Sequence, residues 1–497
     1  MTAISTFGAH ASASVKLDNA KRDWLFMFMY FATSLLAIAM LFTNVLEYKA
    51  GLVGKASMVI PALLLACLLC EFAFLARRFS NDVQKVFLLI SVPAVLAFGL
   101  FIIPGTVPDE HAHIAQALDL FGRHSGSFLV PKVLDPDSLP HTYADLYASI
   151  STPDSWDSMI SYDRYLAYAD GLYAIPAMVI SVLRVLNVNA MVAVVIARVV
   201  NGALFCAAGY YIIRLLPCGK TALMVFLLNP MLIQQEASLS ADVLVNIAAI
   251  AFVVHFLKLN SQKEIARKEW LIFAALTVVM ALAKMMFAPL ALLWLVFLNR
   301  RLSGKRLLAA YLGIFLVCCA LAALVVVFYH GSFFPASFEL MRSPAECARI
   351  LANSIWIAGP FWIDSYLGQF LASLNLATWT PCVYVYLVLQ VVVLFYSDED
   401  CSVLVRGVDK VFVCVLSLVN LLLLVLTMRE WSLEVDKVTD YILGIQGRYL
   451  FPLVLLPLCC MLRPGKKRSE GNVLITSAAL LAAIFSINMI PIITFYL

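Results

Sequence analysis

Long apolar runs separated by short polar clusters set the rhythm of this chain. The runs fall at about 24–45, 57–76, 86–103, 190–213, 220–236, 240–258, 270–283, 286–299, 306–329, 381–397, 410–427, 448–462 and 472–494. Most approach the roughly 20 apolar residues that a helix needs to cross a bilayer. The runs at 270–283 and 286–299 are shorter, with Lys284 between them. The polar first 22 residues lead into the first run without a cleavage-like site, which predicts an uncleaved first span.

Basic clusters orient the runs. Lys16, Lys21 and Arg22, then Arg77, Arg78 and Lys85, then Lys258, Lys263, Arg267 and Lys268, are expected on the cytoplasmic side. So are Arg300, Arg301, Lys305 and Arg306, and the cluster Arg463, Lys466, Lys467 and Arg468. Strict alternation then predicts about thirteen spans, with a cytoplasmic N-terminus and an outside C-terminus. The apolar segment 166–186 breaks that alternation if it crosses, so it is expected to be a tilted or partial helix on the outer side. Arg184 offers the other reading, a short inside turn.

Composition agrees. Hydrophobic residues make up 63% of the 497, charged residues 13%, and mean hydropathy is +0.92. A soluble domain carries about twice that share of charge. A soluble enzyme, a disordered chain and a fibrous protein are excluded, and the predicted fold is an all-α polytopic transmembrane helical bundle. Its outer loops are expected to carry short juxtamembrane helices. A net charge of +4 gives no reason to expect nucleic acid as a partner. Most of the twelve cysteines, Cys67, Cys70, Cys206, Cys318, Cys319, Cys414, Cys459 and Cys460 among them, sit in apolar runs and read as small packing residues.

The longest polar stretch, 104–165, holds nine acids (Asp109, Glu110, Asp119, Asp135, Asp137, Asp145, Asp154, Asp157, Asp163) against Arg123, Lys132 and Arg164. Its acidity fits an outside location. Further outer loops are expected at 330–380, with amphipathic aromatic stretches suited to the interface, and at 429–447.

Four positions carry polar chemistry that an anchor does not need. Pro108-Asp109-Glu110-His111-Ala112-His113 follows the third run. Its paired carboxylates suit a proton acceptor or a cation, Mg²⁺ or Mn²⁺ by ligand type. They equally suit the start of a helix, with acids complementing its dipole. Glu236, Ser240, Asp242 and Asn246 join two runs; Ser240 suits a helix cap, whereas Glu236 and Asp242 suit a cavity, since buried charge in a membrane needs partners. Lys284, at the tip of two short runs, suits an anionic ligand or snorkelling to headgroups. Gly444-Ile445-Gln446-Gly447-Arg448-Tyr449 sets an arginine fork, suited to phosphate, beside an aromatic belt residue. Glu71 and Arg198 are intramembrane charges whose partners the sequence does not identify.

Taken in order, these segments resemble a family of membrane proteins called DUF2142. Pro108 to His113 resembles its Pro-Asp-Glu-x-x-His signature; Ser240 to Asn246, Ala283-Lys284 and Gly444 to Pro452 follow in order. Phe361-Trp362-Ile363-Asp364 resembles its Gly-Trp-x-Asp stretch, with Phe361 in place of the glycine. The resemblance covers about 105 to 455. That family is similar to GT-C glycosyltransferases, which take sugars from polyprenyl-phosphate donors. The resemblance implies a GT-C-like catalytic module at 86–330, preceded by extra helices at 1–85 and followed by a C-terminal membrane region at 331–497. It implies Asp109 or Glu110 as catalytic base and Lys284 and Arg448 at the donor phosphate. His113, Glu236, Asp242, Asn246, Asp364, Gln446 and Tyr449 would be cavity residues. The expected activity is an inverting transfer to a cell-envelope glycan, lipid-linked saccharide or protein acceptor on the outer face of the cell membrane. Two other readings use the same residues, namely a transporter or flippase of a lipid-linked glycan and a surface-polysaccharide polymerase or ligase.

Overall fold

The computed structural model describes residues 3–120, 128–135, 139–162, 168–301, 303–306, 308–309, 311–313, 316, 335–395, 405, 407–462 and 470–497. Three long helices open the chain: α1 (Ala3–Lys49), α2 (Val59–Arg78) and α3 (Val83–Phe101). Short elements follow: α4 (Glu110–Leu118), β1 (Phe128–Pro131), α5 (Tyr143–Ile150), β2 (Met159–Tyr162) and α6 (Ala174–Val185). The next group is α7 (Ala190–Leu215), α8 (Lys220–Leu227), α9 (Pro230–Glu236), α10 (Asp242–Ser261), α11 (Arg267–Ala283) and α12 (Trp294–Arg301). Last come α13 (Pro335–Met341), α14 (Pro344–Tyr366), β3 (Phe370–Leu371), β4 (Leu376–Ala377), α15 (Thr380–Phe395), α16 (Gly407–Thr427), α17 (Arg429–Glu434), α18 (Phe451–Met461) and α19 (Glu470–Phe495). Strand β1 pairs antiparallel with β2, and β3 with β4.

The molecule is therefore an all-α membrane bundle. Among the described residues, seven helices are long and apolar enough to cross a bilayer. They match the runs expected at 24–45, 57–76, 86–103, 190–213, 240–258, 410–427 and 472–494. The apolar helices over Met286–Leu298, Thr380–Phe395 and Gly447–Met461 are shorter. The run at 306–329 lies largely outside the described residues.

One expected span is broken. The run 220–236 forms two short helices, α8 and α9, because Pro230 has no N–H to continue a helix. Asn229 then starts a new one, its Oδ1 accepting from the N–H groups of Met231 and Leu232 at 2.8 and 3.3 Å. The segment 166–186 yields the 12-residue α6 after a 3-10 turn at Asp170–Tyr173. At 1.5 Å per residue that is about 18 Å, short of a bilayer core.

Helices α3, α7 and α10 form the interior, while α1 and α2 expose apolar side chains such as Phe28, Leu63 and Phe74. Between α3 and α7, Gly202 permits a close approach: a Cβ there would lie 1.9 Å from a Val95 methyl. Small residues at crossings let membrane helices gain van der Waals contact. Cys67, Cys70, Cys206, Cys347, Cys382, Cys414, Cys459 and Cys460 are free, whereas Cys218 is disulfide-bonded.

Helix α14 buries a stripe of Ile350, Ser354, Ala358, Trp362 and Tyr366 at a spacing of four. Its opposite face exposes Ile355, Trp356, Phe361 and Ile363.

Candidate functional site

Helix α4 begins with Asp109 as its N-cap, in the left-handed region at φ 62°. Asp tolerates this conformation better than most residues. Its carboxylate makes no cap bond. Instead Arg448 Nη2 donates to Asp109 Oδ2 at 2.5 Å. Arg448 sits in the 3-10 turn Gly447–Leu450 and is itself buried. Its Nη1 also donates to the Pro108 carbonyl at 2.8 Å and lies 3.6 Å from Asp242 Oδ2.

Asp242 opens α10 and is the hub of the cluster. Its Oδ1 receives Lys284 Nζ at 3.0 Å and the Tyr168 hydroxyl at 2.9 Å. Lys284 also donates to Tyr168 at 3.0 Å. It stands over the Tyr449 ring at 4.3 Å from the centroid, close enough for cation–π attraction. Lys284 owes its place to the break between α11 and the 3-10 run that follows, where its backbone is extended at φ −151°. Two carboxylates and two cations thus form one cluster with no net charge. Arg448, Asp242 and Lys284 are nearly or wholly buried, whereas the Asp109 side chain keeps 29% of its exposure.

His113 lies one turn along α4 from Asp109. Its Nδ1 shares a 2.7 Å hydrogen bond with the Tyr173 hydroxyl, and its ring is 5.2 Å from that of Tyr168. Burial, the largest influence, pushes the imidazole down to about 3, so His113 is neutral at physiological pH.

Glu110 belongs elsewhere. It is fully buried, with Arg198 Nε 3.0 Å from its Oε1. The Leu239 and Gly105 amides donate to its two oxygens, each at 2.8 Å. Arg198 further donates to the carbonyls of Ile102 and Ala237. Both oxygens being engaged, Glu110 is an internal tie between α3, α4 and α7, and the expectation that it could serve as a base is corrected. The same geometry tests the metal expectation. Asp109 turns to Arg448 and Glu110 to Arg198, so the adjacent acids do not converge on a cation. Among the described residues no group of three or more His, Cys, Asp or Glu could hold a metal ion.

The expected residues Asp109, His113, Asp242, Lys284, Arg448 and Tyr449 therefore come together from four separate segments. Glu236 and Asn246 form a buried pair, Asn246 Nδ2 donating to Glu236 Oε1 at 2.9 Å. Gln446 lies two residues before Arg448, with its Oε1 buried and, among the described residues, without a hydrogen-bond partner. Asp364 does not join them: it is exposed near the end of α14. Sequence reasoning missed Tyr168, Tyr173 and Gln235. Gln235, whose Oε1 accepts from Arg448 at 3.4 Å, carried a signal, since Gln234-Gln235-Glu236 interrupts an apolar run. The tyrosines carried none.

The turn bearing Arg448 is fixed from below. The Gly447 amide donates to Ser365 Oγ at 2.9 Å, and a Cβ on Gly447 would lie 2.0 Å from the Tyr366 backbone nitrogen. Asn229 Nδ2 donates to the Tyr366 carbonyl at 2.8 Å. The ends of α14 and α9 and the Arg448 turn are thereby locked together.

Chemically, the arrangement offers one partly exposed carboxylate beside two buried cations, within an apolar scaffold that strengthens charge interactions. No curated protein and no solved structure matches the chain. The sequence model of a family described as a predicted membrane protein, DUF2142, matches residues 92–457. That span starts within α3, ends within α18 and contains every member of the charged cluster, and the chain belongs to the DUF2142 family of membrane proteins.

Proposed function

We propose that this protein is a GT-C-like, inverting glycosyltransferase that takes a sugar from a polyprenyl-phosphate donor on the outer face of the cell membrane. The supporting observation is the largely buried, charge-balanced cluster of Asp109, Arg448, Asp242 and Lys284, with Asp109 as its partly exposed member. In this reading Asp109 accepts the proton of an acceptor hydroxyl as its oxygen attacks the anomeric carbon. The bond from that carbon to the donor phosphate oxygen breaks, and the departing polyprenyl phosphate carries the electron pair. Lys284 and Arg448 stabilise its growing negative charge. The resting ion pairs hold both cations in place before the donor arrives. A phosphate that engages Arg448 weakens its hold on Asp109, which raises the basicity of that carboxylate at the moment it is needed.

The lipid-linked donor, the acceptor glycan, lipid or protein and the surrounding membrane lipids are the partners this reading requires. The test is reconstitution of the purified protein with radiolabelled polyprenyl-phosphate sugars, wild type beside Asp109→Asn. Free polyprenyl phosphate released by the wild type, and lost in Asp109→Asn at normal membrane abundance, is the expected result. Full release by Asp109→Asn would remove the catalytic assignment. Label that crosses the liposome with its sugar–phosphate bond intact would make the protein a transporter instead.

A further inference from the structure

Helix α4 presents polar groups at spacings of four and three residues: Asp109, His113 and Gln116. Such positions lie on one face of a helix, some 5–6 Å apart. Two of them are unusual. Gln116 is 1% exposed, yet among the described residues neither its Oε1 nor its Nε2 has a hydrogen-bond partner. His113 is fully buried, and its Nε2 is likewise without one. Buried polar side-chain atoms are nearly always satisfied, so three orphans on one helical face call for an explanation. The neighbouring aromatic groups are the phenol rings of Tyr168 and Tyr173, at 5.2 and 5.7 Å from the imidazole.

We infer that this face of α4 is a carbohydrate subsite, and that the acceptor whose hydroxyl Asp109 deprotonates is a sugar. A primary amide offers both donors and an acceptor. A phosphate only accepts, and a lipid chain does neither; vicinal sugar hydroxyls do both. The imidazole adds a further neutral hydrogen-bonding nitrogen beside them, and the ring of Tyr168, which unlike the fully buried Tyr173 keeps some exposure, suits the apolar face of a pyranose. Gln116 would hold the ring by its hydroxyls, with His113 between it and Asp109. The role given to Asp109 rests on the transferase reading; the binding claim for Gln116 and His113 does not.

The test therefore uses no donor. The full-length protein in nanodiscs is compared with Gln116→Leu, with Gln116→Met as a second apolar variant should leucine fail to fold. Each is melted without ligand and then examined by saturation-transfer NMR against glucose, galactose, mannose, N-acetylglucosamine, rhamnose and arabinose. An orphaned amide is destabilising, so its apolar replacement is expected to raise the ligand-free midpoint by about 1–2 °C. At least one sugar is expected to give a signal with wild type that falls fivefold or more in the variant. A lowered midpoint in both variants would mean that the amide serves the fold and would overturn the subsite. So would the lack of signal from any sugar, or equal signals from wild type and variant. Loss of transfer in Asp109→Asn with sugar binding retained would uphold both proposals. Sugar binding without any transfer would remove only the first.

Discussion

Asp109 and Glu110 are adjacent carboxylates with opposite fates. The left-handed backbone at Asp109 turns its side chain to Arg448, while Glu110 points into the bundle against Arg198. Their amide variants should behave differently. Glu110→Gln leaves a wholly buried guanidinium without its counter-charge, which in other buried pairs costs about 3–5 kcal/mol; its abundance and melting midpoint should fall sharply. Asp109→Asn should melt closer to wild type, because Asp109 is partly solvated and the buried Arg448 keeps Asp242 as a counter-charge, while transfer is lost. Equal melting of the two variants would contradict this division. His113 predicts a pH effect on stability. Its imidazole titrates near 3 when folded against about 6.5 when unfolded. Its contribution is complete above pH 6.5 and declines as pH falls towards 3, because the unfolded chain binds the proton first, at up to about 1.4 kcal/mol per pH unit. His113→Asn should flatten the fall in melting midpoint between pH 7 and 5; an unchanged slope would refute it.

At the scale of elements, the site depends on how α14, α9 and the Gly447–Leu450 turn meet. A methyl at Gly447 would overlap the backbone of Tyr366, which cannot swing aside as a side chain can. Gly447→Ala should therefore displace Arg448 and reduce transfer at least tenfold, while Gly54→Ala, at an extended backbone position where among the described residues nothing lies within 4 Å of the added carbon, should not. The exposed face of α14 gives a second expectation. Trp356 is 85% exposed beside Ile355 and Ile357, on a helix whose charged Glu346 and Arg349 cluster towards its start. This pattern belongs at the bilayer interface. Brominated lipids should quench the fluorescence that Trp356→Phe removes, and quenching by aqueous iodide alone would place the helix in water.

For the whole molecule, the proposed outer-face placement of the site has its own check. His141 is exposed in the loop before α5, and with this orientation His141→Cys in intact cells should react with a membrane-impermeant maleimide. Labelling only after permeabilisation would invert the molecule and put the site on the other side.

The linear pattern alone determined the membrane bundle, seven of its long helices and most of the charged positions of the site. Those features follow from local quantities: apolar length, period and the expense of placing a charge in hydrocarbon. The run 220–236 shows the limit of hydropathy, because the Asn229-Pro230 break is a matter of capping and a missing N–H, which an apolar average does not register. Only the tertiary structure decided which carboxylate meets which cation. Asp109 and Arg448 are 339 residues apart, and Arg198 finds Glu110 rather than its neighbours in sequence. It also brought in Tyr168 and Tyr173, ordinary loop tyrosines until folding sets their hydroxyls on Asp242 and His113. Ion-pair partners are selected by the packing of segments distant in sequence, and each residue's own surroundings in the chain carry no record of that choice.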